Sequence, residues 1–352
     1  MKKMLALLLA LVMVLSLAAC ASSQPVATDA AASTETAETT ETTETAEPAA
    51  EEPAEAPAES GKTYTVGVCQ LVQHEALDAA TQGFVDALKE ELGDAVTVDV
   101  QNASGDSVNC GTIVNGFVSK GVDLIMANAT PALTAAVSAT ADIPILGTSI
   151  TAYGVALDID DFNGTVGGNV SGTSDLADLQ AQAQMILDWF PETKTVGLLF
   201  CSAEPNSRYQ IDEVRKALEA QGVTCEEFAF TDSNDVSSVT QKAADFSDVV
   251  YIPTDNTAAS NTEAIANVLI PAGVPAVCGE EGLCRGCGVA TLSISYYDLG
   301  VTTGKMAAKI LKGEADISTM PVEYTDATPK YNASVCEQLG ITPLDGYEAI
   351  DG

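Results

Sequence analysis

The sequence predicts an α/β protein of two doubly wound parallel-sheet lobes joined by a three-segment hinge. Three observations carry that prediction. The body of the chain repeats itself at an offset of about 130 residues, and a repeat of this kind defines an architecture before any single element does. Within each half, short Val- and Ile-rich runs alternate with amphipathic stretches, the pattern of a parallel sheet covered by helices on both faces. From Tyr64 onward, the 352-residue chain is long enough for two lobes of ordinary size.

The chain opens on Lys2 and Lys3, followed by the apolar run MLALLLALVMVLSLAA. A basic start, a short apolar core and small residues at its end predict a signal peptide over residues 1–19. Leu17-Ala18-Ala19-Cys20 resembles a bacterial lipobox, which implies cleavage before Cys20 and lipidation of its thiol. An ordinary signal peptide with an incidental cysteine is the alternative. From Cys20 to residue 62 the chain is mostly Ala, Thr, Glu, Pro and Ser. So few large apolar side chains cannot offset the entropy of ordering, and a disordered acidic tether is expected.

The first half then reads as strands at 65–69, 96–100, 123–127 and 143–147, and the second as strands at 195–200, 223–229, 248–252 and 275–278. Val66-Gly67 returns as Val196-Gly197, Leu88 as Leu218, and Pro144 as Pro275. The intervening helices carry apolar i,i+4 pairs, Phe84 with Leu88 and Val214 with Leu218, and end near Gly93 and Gly222. Right-handed crossovers make each half doubly wound. Each half is followed by a strand, a polar stretch and a helix, so the chain is expected to cross between lobes near 170–174, 291–296 and 317–321. The lobes become 63–172 plus 294–318, and 173–293 plus 319–345.

With 50 acidic and 15 basic residues, the chain has a formal net charge of −35. Phosphate backbones would be repelled, which argues against nucleic acid as a partner.

Ligands of parallel α/β sheets sit beyond the carboxyl ends of the strands, so the loops after the strands hold the candidate site residues. In the first half these are Gln73, His74 and Glu75, then Asn128 and Thr130, then Thr148 and Ser149. Thr130-Pro131 looks like an N-cap followed by proline at the first helical position. The free N–H groups there suit a carboxylate; capping alone is the other reading. In the second half the candidates are Asn206 and Ser207, then Thr254, Asp255 and Asn256, then Glu280. Asp255 is either the partner of a ligand ammonium or the N-cap of the next helix. Capping competes at Asn206 and Ser207 too, and Glu280 has the alternative of an ordinary exposed acid. Carboxylate donors on one lobe and an acid on the other suit a zwitterion, so the leading ligand class is an amino acid. Phe162, Tyr153, Phe200, Leu71 and Tyr296 are candidates for a ring slot, each with core or hinge packing as its alternative.

His74 is the single histidine. One histidine cannot make a metal site, and no nucleophile elbow is present. No catalytic residue, metal or cofactor is therefore expected, and His74 either lines the cleft or packs its loop. Beyond Cys20 the cysteines are Cys69, Cys110, Cys201, Cys225, Cys278, Cys284, Cys287 and Cys336. A body of this size needs no disulfide staples, and the cysteines in or beside strands are expected to pack as small hydrophobes. Cys284-Arg285-Gly286-Cys287 reads as a Gly-rich turn before a strand, the wrong context for a redox motif. A local disulfide and two free thiols both stay open.

The lipobox, the acidic tether, HEALDAATQGFVDAL, ANATPAL, IPILGTS, EPNS, PTDN and GVATLSISYYDLGVTTGKMAAKIL resemble the substrate-binding lipoproteins of ABC importers. These have the type I periplasmic-binding-protein-like fold, and the group includes predicted tryptophan- and tyrosine-binding components. The resemblance spans about residues 63 to 345. It implies a lipid-anchored protein on the extracytoplasmic face of the cell membrane. Such a protein captures an amino acid, an aromatic one favoured, and delivers it to an ABC permease and its ATPase; a monomer is expected. Many members read His-Pro where this chain reads His74-Glu75, so contacts in that loop differ. A ligand-sensing surface lipoprotein or adhesin on the same fold is the alternative. A thiol oxidoreductase is disfavoured by the single histidine and the misplaced C-x-x-C.

Overall fold

A computed structural model describes residues 61–350. The expected signal peptide, Cys20 and the tether up to residue 60 lie outside the described residues. The first half runs β1 (Tyr64–Gln70), α1 (Glu75–Leu92), β2 (Val96–Asn102), α2 (Ser107–Lys120), β3 (Leu124–Asn128), α3 (Thr130–Ala139), β4 (Ile145–Ile150), α4 (Tyr153–Ala156) and β5 (Val170–Ser174). The second runs α5 (Leu179–Trp189), β6 (Thr195–Cys201), α6 (Pro205–Ala220), β7 (Thr224–Phe230), α7 (Val236–Phe246), β8 (Val249–Ile252), α8 (Asn256–Ala259), α9 (Thr262–Ala272), β9 (Ala276–Cys278), α10 (Glu281–Cys287) and β10 (Ala290–Ser293). The chain closes with α11 (Tyr296–Lys312), β11 (Glu323–Tyr324), β12 (Thr328–Tyr331), α12 (Ala333–Leu339) and β13 (Glu348–Ala349).

The repeat becomes two sheets with one strand order, β2-β1-β3-β4-β5 and β7-β6-β8-β9-β10. All of these neighbours pair in parallel. β3 and β4 are buried along their whole length, as continuous apolar runs in a covered parallel sheet must be. β7, at a sheet edge, alternates between exposed and less exposed positions along most of its length. Each sheet has a core on both faces: Phe117, Ile125 and Leu133 against Phe84, Val68 and Met126 in the first, and Phe200, Tyr251 and Val277 against Leu199, Val250 and Ile252 in the second. Each such side chain contributes about 1.5–3 kcal/mol through burial.

The helices after β5 and β10 change lobes. α5 packs on α6, and α11 packs on α1. The second contact is close because three of its residues are glycine. A Cβ at Gly300 would lie 2.0 Å from the Ala80 carbonyl oxygen, and one at Gly83 would lie 2.1 Å from that of Tyr297.

The crossings fall at 175–178, 294–295 and 325–327, so the lobe boundaries shift. Thr173 and Ser174 belong to β5 in the first sheet. The residues from 319 were expected in the second lobe, yet Val322 packs in the first core and Glu323–Tyr324 pairs with Thr173–Ser174. The physical reason is the free edge of β5, which this two-residue strand covers. β12 and β13 extend the second sheet, β12 antiparallel to β10. The C-x-x-C also differs from expectation: Cys284 and Cys287 lie in helix α10, not in a turn.

Candidate functional site

The strand tips of the two lobes close on a small polar cavity with about 10 Å³ of free space, room for about one water, so an amino-acid-sized ligand enters only as the lobes part. Its walls are His74, Leu77, Ser149, Thr151, Asp175, Asn206, Thr254, Asp255, Asn256, Ala259, Glu280 and Tyr296.

On the first lobe, the pairing of β4 with β5 shifts register between Gly147 and Ile150. The irregularity holds Ser149 at φ 56°, a left-handed conformation that costs a non-glycine residue of order 1 kcal/mol or more. Its Oγ is buried without a hydrogen-bond partner. Thr148 takes the other side. Its hydroxyl closes a triangle with Thr173 and Thr303, with sides of 3.2, 2.8 and 3.2 Å, so this candidate is a core strut. Asn128 also lies behind the wall: its Nδ2 donates to Leu77 O at 2.9 Å and Thr81 Oγ1 at 3.0 Å, fastening α1 to the tip of β3. Thr130 is not the cap of α3. The N-cap is Ala129, at φ 87° and with no side-chain cap bond, and Thr130 is buried in the first turn outside the cavity wall.

On the second lobe the organiser is Glu204, a buried carboxylate that sequence reasoning missed. It accepts from Asn206 Nδ2 (3.2 Å), from Asn256 N and Nδ2 (3.0 and 2.7 Å), and from Thr257 N and Oγ1 (2.9 and 2.8 Å). Asn206 Nδ2 also donates to Thr254 O at 3.0 Å, while its Oδ1 is buried without a partner. The capping reading prevails at Asp255. Its Oδ1 accepts from Ala258 N at 2.8 Å, and its Oδ2 accepts from Cys201 N at 2.6 Å and from Ser207 Oγ at 2.8 Å. Ser207 is thereby committed to Asp255 and lies behind the wall. Burial, with Glu204 nearby, pushes the Asp255 carboxyl up to about 8. Glu280 is not an exposed acid: it is buried and caps α10, accepting from Gly282 N at 2.6 Å and Leu283 N at 2.5 Å. Burial pushes it up to about 7.

The carboxylate with an open lone pair is Asp175, just past β5 on the first crossing. Tyr296 donates its phenol hydrogen to Oδ2 at 2.9 Å, and Oδ1 is buried without a partner. Burial raises its pKa. The strand-tip rule would have found it in VSGTSD, had it been applied to the strand that leads into a crossing. Ser149 Oγ, Asp175 Oδ1 and Asn206 Oδ1 are thus three unpartnered polar atoms on residues that line one cavity. Native proteins rarely leave such atoms unpaired, and a polar ligand would satisfy all three.

The lobes touch around this cavity. His74 Nε2 lies 3.3 Å from Asn256 Oδ1, the Thr151 and Thr254 hydroxyls are 3.4 Å apart, and Arg285 Nε is 3.0 Å from Glu75 Oε1. Burial lowers the pKa of His74, partly opposed by Asn256, Glu204 and Asp78, and so favours the neutral ring. Gln73 and Glu75 lie in an adjoining side opening rather than in the cavity. Of the ring-slot candidates, Tyr296 lines the cavity. Tyr153 and Phe162 stack on each other at 6.3 Å beside a separate groove, Phe200 is core, and Leu71 faces the cleft mouth. Cys69, Cys110, Cys201, Cys225, Cys278, Cys284, Cys287 and Cys336 are free thiols.

Residues 65–346 match the family model of ABC transporter substrate binding proteins. The tyrosine-binding protein of Clostridioides difficile is 32% identical over 276 residues, 77% of this chain and 79% of that one. An ABC domain from Streptococcus pneumonia in complex with L-Trp superposes with TM-score 0.78 at 32% identity, covering 82% of this chain and all of that one. The ligand-free, open form of a Clostridium difficile substrate-binding protein with adhesive properties gives TM-score 0.63 at 33% identity, covering 82% and 99%. At nearly equal identity the better fit is to the liganded relative, in keeping with lobes that touch here. Fold, cleft and family model agree: the chain belongs to the ABC transporter substrate-binding proteins.

Proposed function

We propose that this chain is a lipid-anchored extracytoplasmic receptor that captures an aromatic amino acid, tyrosine or tryptophan, and delivers it to an ABC permease. The observation that carries the ligand class is the trio of unpartnered atoms. Asp175 Oδ1 and Asn206 Oδ1 are acceptors on opposite sides of the cavity, suited to an ammonium with three N–H donors. The hydroxyls of Ser149, Thr151 and Thr254 suit the α-carboxylate, and Tyr296 with Leu77 offers apolar surface to a ring. The relatives named for tyrosine and solved with L-Trp support the aromatic choice. Family membership supports the permease as partner and a binding rather than a catalytic role. The leader and the Leu17–Cys20 motif support the anchor. Ligand would act by shifting population toward the closed form, which binds it better.

Calorimetric titration with the twenty amino acids tests the reading. Tyrosine or tryptophan should bind at micromolar concentration or tighter; no response to tyrosine, tryptophan or phenylalanine ends the aromatic reading. Incorporation of labelled fatty acid into the wild-type chain, lost in Cys20→Ser, tests the anchor.

A further inference from the structure

The cavity has a side opening, bounded on the first lobe by Gln73, His74 and Glu75 and on the second by Thr262, Gly282 and Arg285. It shares His74, Ala259 and Glu280 with the inner cavity, so these side chains are the wall between that cavity and the opening. Glu75 is the first residue of α1 and Arg285 lies in α10. Their side chains meet across the opening, Nε to Oε1 at 3.0 Å. Among the described residues this is the ion pair that joins the two lobes; the other ion pairs each stay within one lobe. Arg285 is steered from its own lobe: its Nη2 meets Glu281 Oε1 at 2.7 Å, and Glu281 Oε2 meets Lys330 at 2.6 Å. The lobes are in contact beside the pair, where a Cβ built at Gly282 would sit 3.4 Å from Cβ of Glu75, an ordinary contact distance. Neither Glu75 nor Arg285 lines the inner cavity.

We propose that Glu75 and Arg285 form a bolt across this opening, made only when the lobes are closed, which sets how long a ligand stays without touching it. The proposal rests on the amino-acid-binding reading above. Opening the lobes separates the two charges, so their attraction stabilises the closed state alone and acts on ligand release. The side chains are 34% (Arg285) and 52% (Glu75) exposed, so the effect is modest and screened by salt.

The test is stopped-flow release of bound tyrosine or tryptophan from the full chain, at low and high salt. It compares wild type with Glu75→Gln, Arg285→Gln and the double variant. Each single variant should release ligand about two- to fivefold faster at low salt, the range a partly exposed pair supplies. The double variant should be no faster than the faster single one, since both remove the same interaction. Wild-type release should quicken with salt, and that of Glu75→Gln should not. Loss of a favourable charge at the start of α1 would lower the melting temperature of Glu75→Gln but would not couple to Arg285. Wild-type release rates in both single variants, or effects that simply multiply, overturn the bolt. If the wild type binds no amino acid, the binding reading fails by itself. Small-angle scattering of the ligand-free chain then decides the bolt: a larger radius of gyration for Glu75→Gln at low salt supports it, and equal radii overturn it.

Discussion

Asp175, on the first crossing between the lobes, and Tyr296, the first residue of α11 just past the second, are joined by a 2.9 Å hydrogen bond from the phenol to Oδ2. The bond fixes the carboxylate with Oδ1 left for the cavity. It also explains why a buried acid is tolerated without a basic partner: one oxygen is served by the protein, and the other is reserved.

Asp175→Asn keeps an acceptor for Tyr296 but removes the negative charge proposed to hold the ligand ammonium. Truncating one member of a buried charge pair costs about 2–5 kcal/mol. The tyrosine or tryptophan Kd should therefore rise at least about 30-fold by calorimetry. The ligand-free protein should melt no lower than wild type, because a desolvated charge has gone.

Ser149→Ala separates binding from stability in another way. Its Oγ has no partner in the unliganded protein, and removing an unsatisfied buried hydroxyl is neutral or stabilising. Affinity should fall by about 1–2 kcal/mol while the denaturation midpoint holds or rises. A midpoint that falls with unchanged affinity would show that the hydroxyl serves the fold.

The pH dependence follows from Asp255 and Glu280. Their folded values, about 8 and about 7, lie above those of ordinary carboxylates near 4. Folding favours their protonated forms, so that stability is complete below about pH 4 and is lost as pH rises through 7 and 8. His74 is shifted the other way and erodes stability as pH falls below about 6.5. The ligand-free melting temperature should thus decline from pH 7 to 9; a rise across that window contradicts the burial of these two acids.

Gly300→Ala should be costly despite the better helix propensity of alanine, worth about 1 kcal/mol. The new methyl would lie 2.0 Å from the Ala80 carbonyl oxygen, and α1 and α11 would have to part. Overpacking of this kind costs about 1–3 kcal/mol or more, read as a lower urea midpoint.

The doubled sheet was legible because its strands are long, apolar and buried, and because two copies of the pattern corroborate each other. β11 was not, since two residues carry no periodicity and Glu323–Tyr324 is a strand only through the free edge of β5. At the strand tips, sequence brought out His74, Ser149, Asn206, Thr254, Asp255, Asn256 and Glu280, which all line the cavity. It could not tell Thr148 from Ser149, because an irregularity in β4 decides which of the two faces the gap. Nor could it rank ligand contact against capping: Asp255 and Glu280 serve backbone N–H groups, a choice set by local turn geometry. Glu204 carries no signal of its own in the sequence, and only the fold collects Asn206, Asn256 and Thr257 around it.

Asp175 lies on one crossing and Tyr296 just past another, close to any axis on which the lobes would turn. Points near a pivot travel little, whereas Asn206 and Asn256 would ride outward with a swinging half. A guest seated on Asp175 would keep its station while the far wall lifts away. Unloading would then uncover it from one side, and the last grip to be broken would be the one nearest the axle.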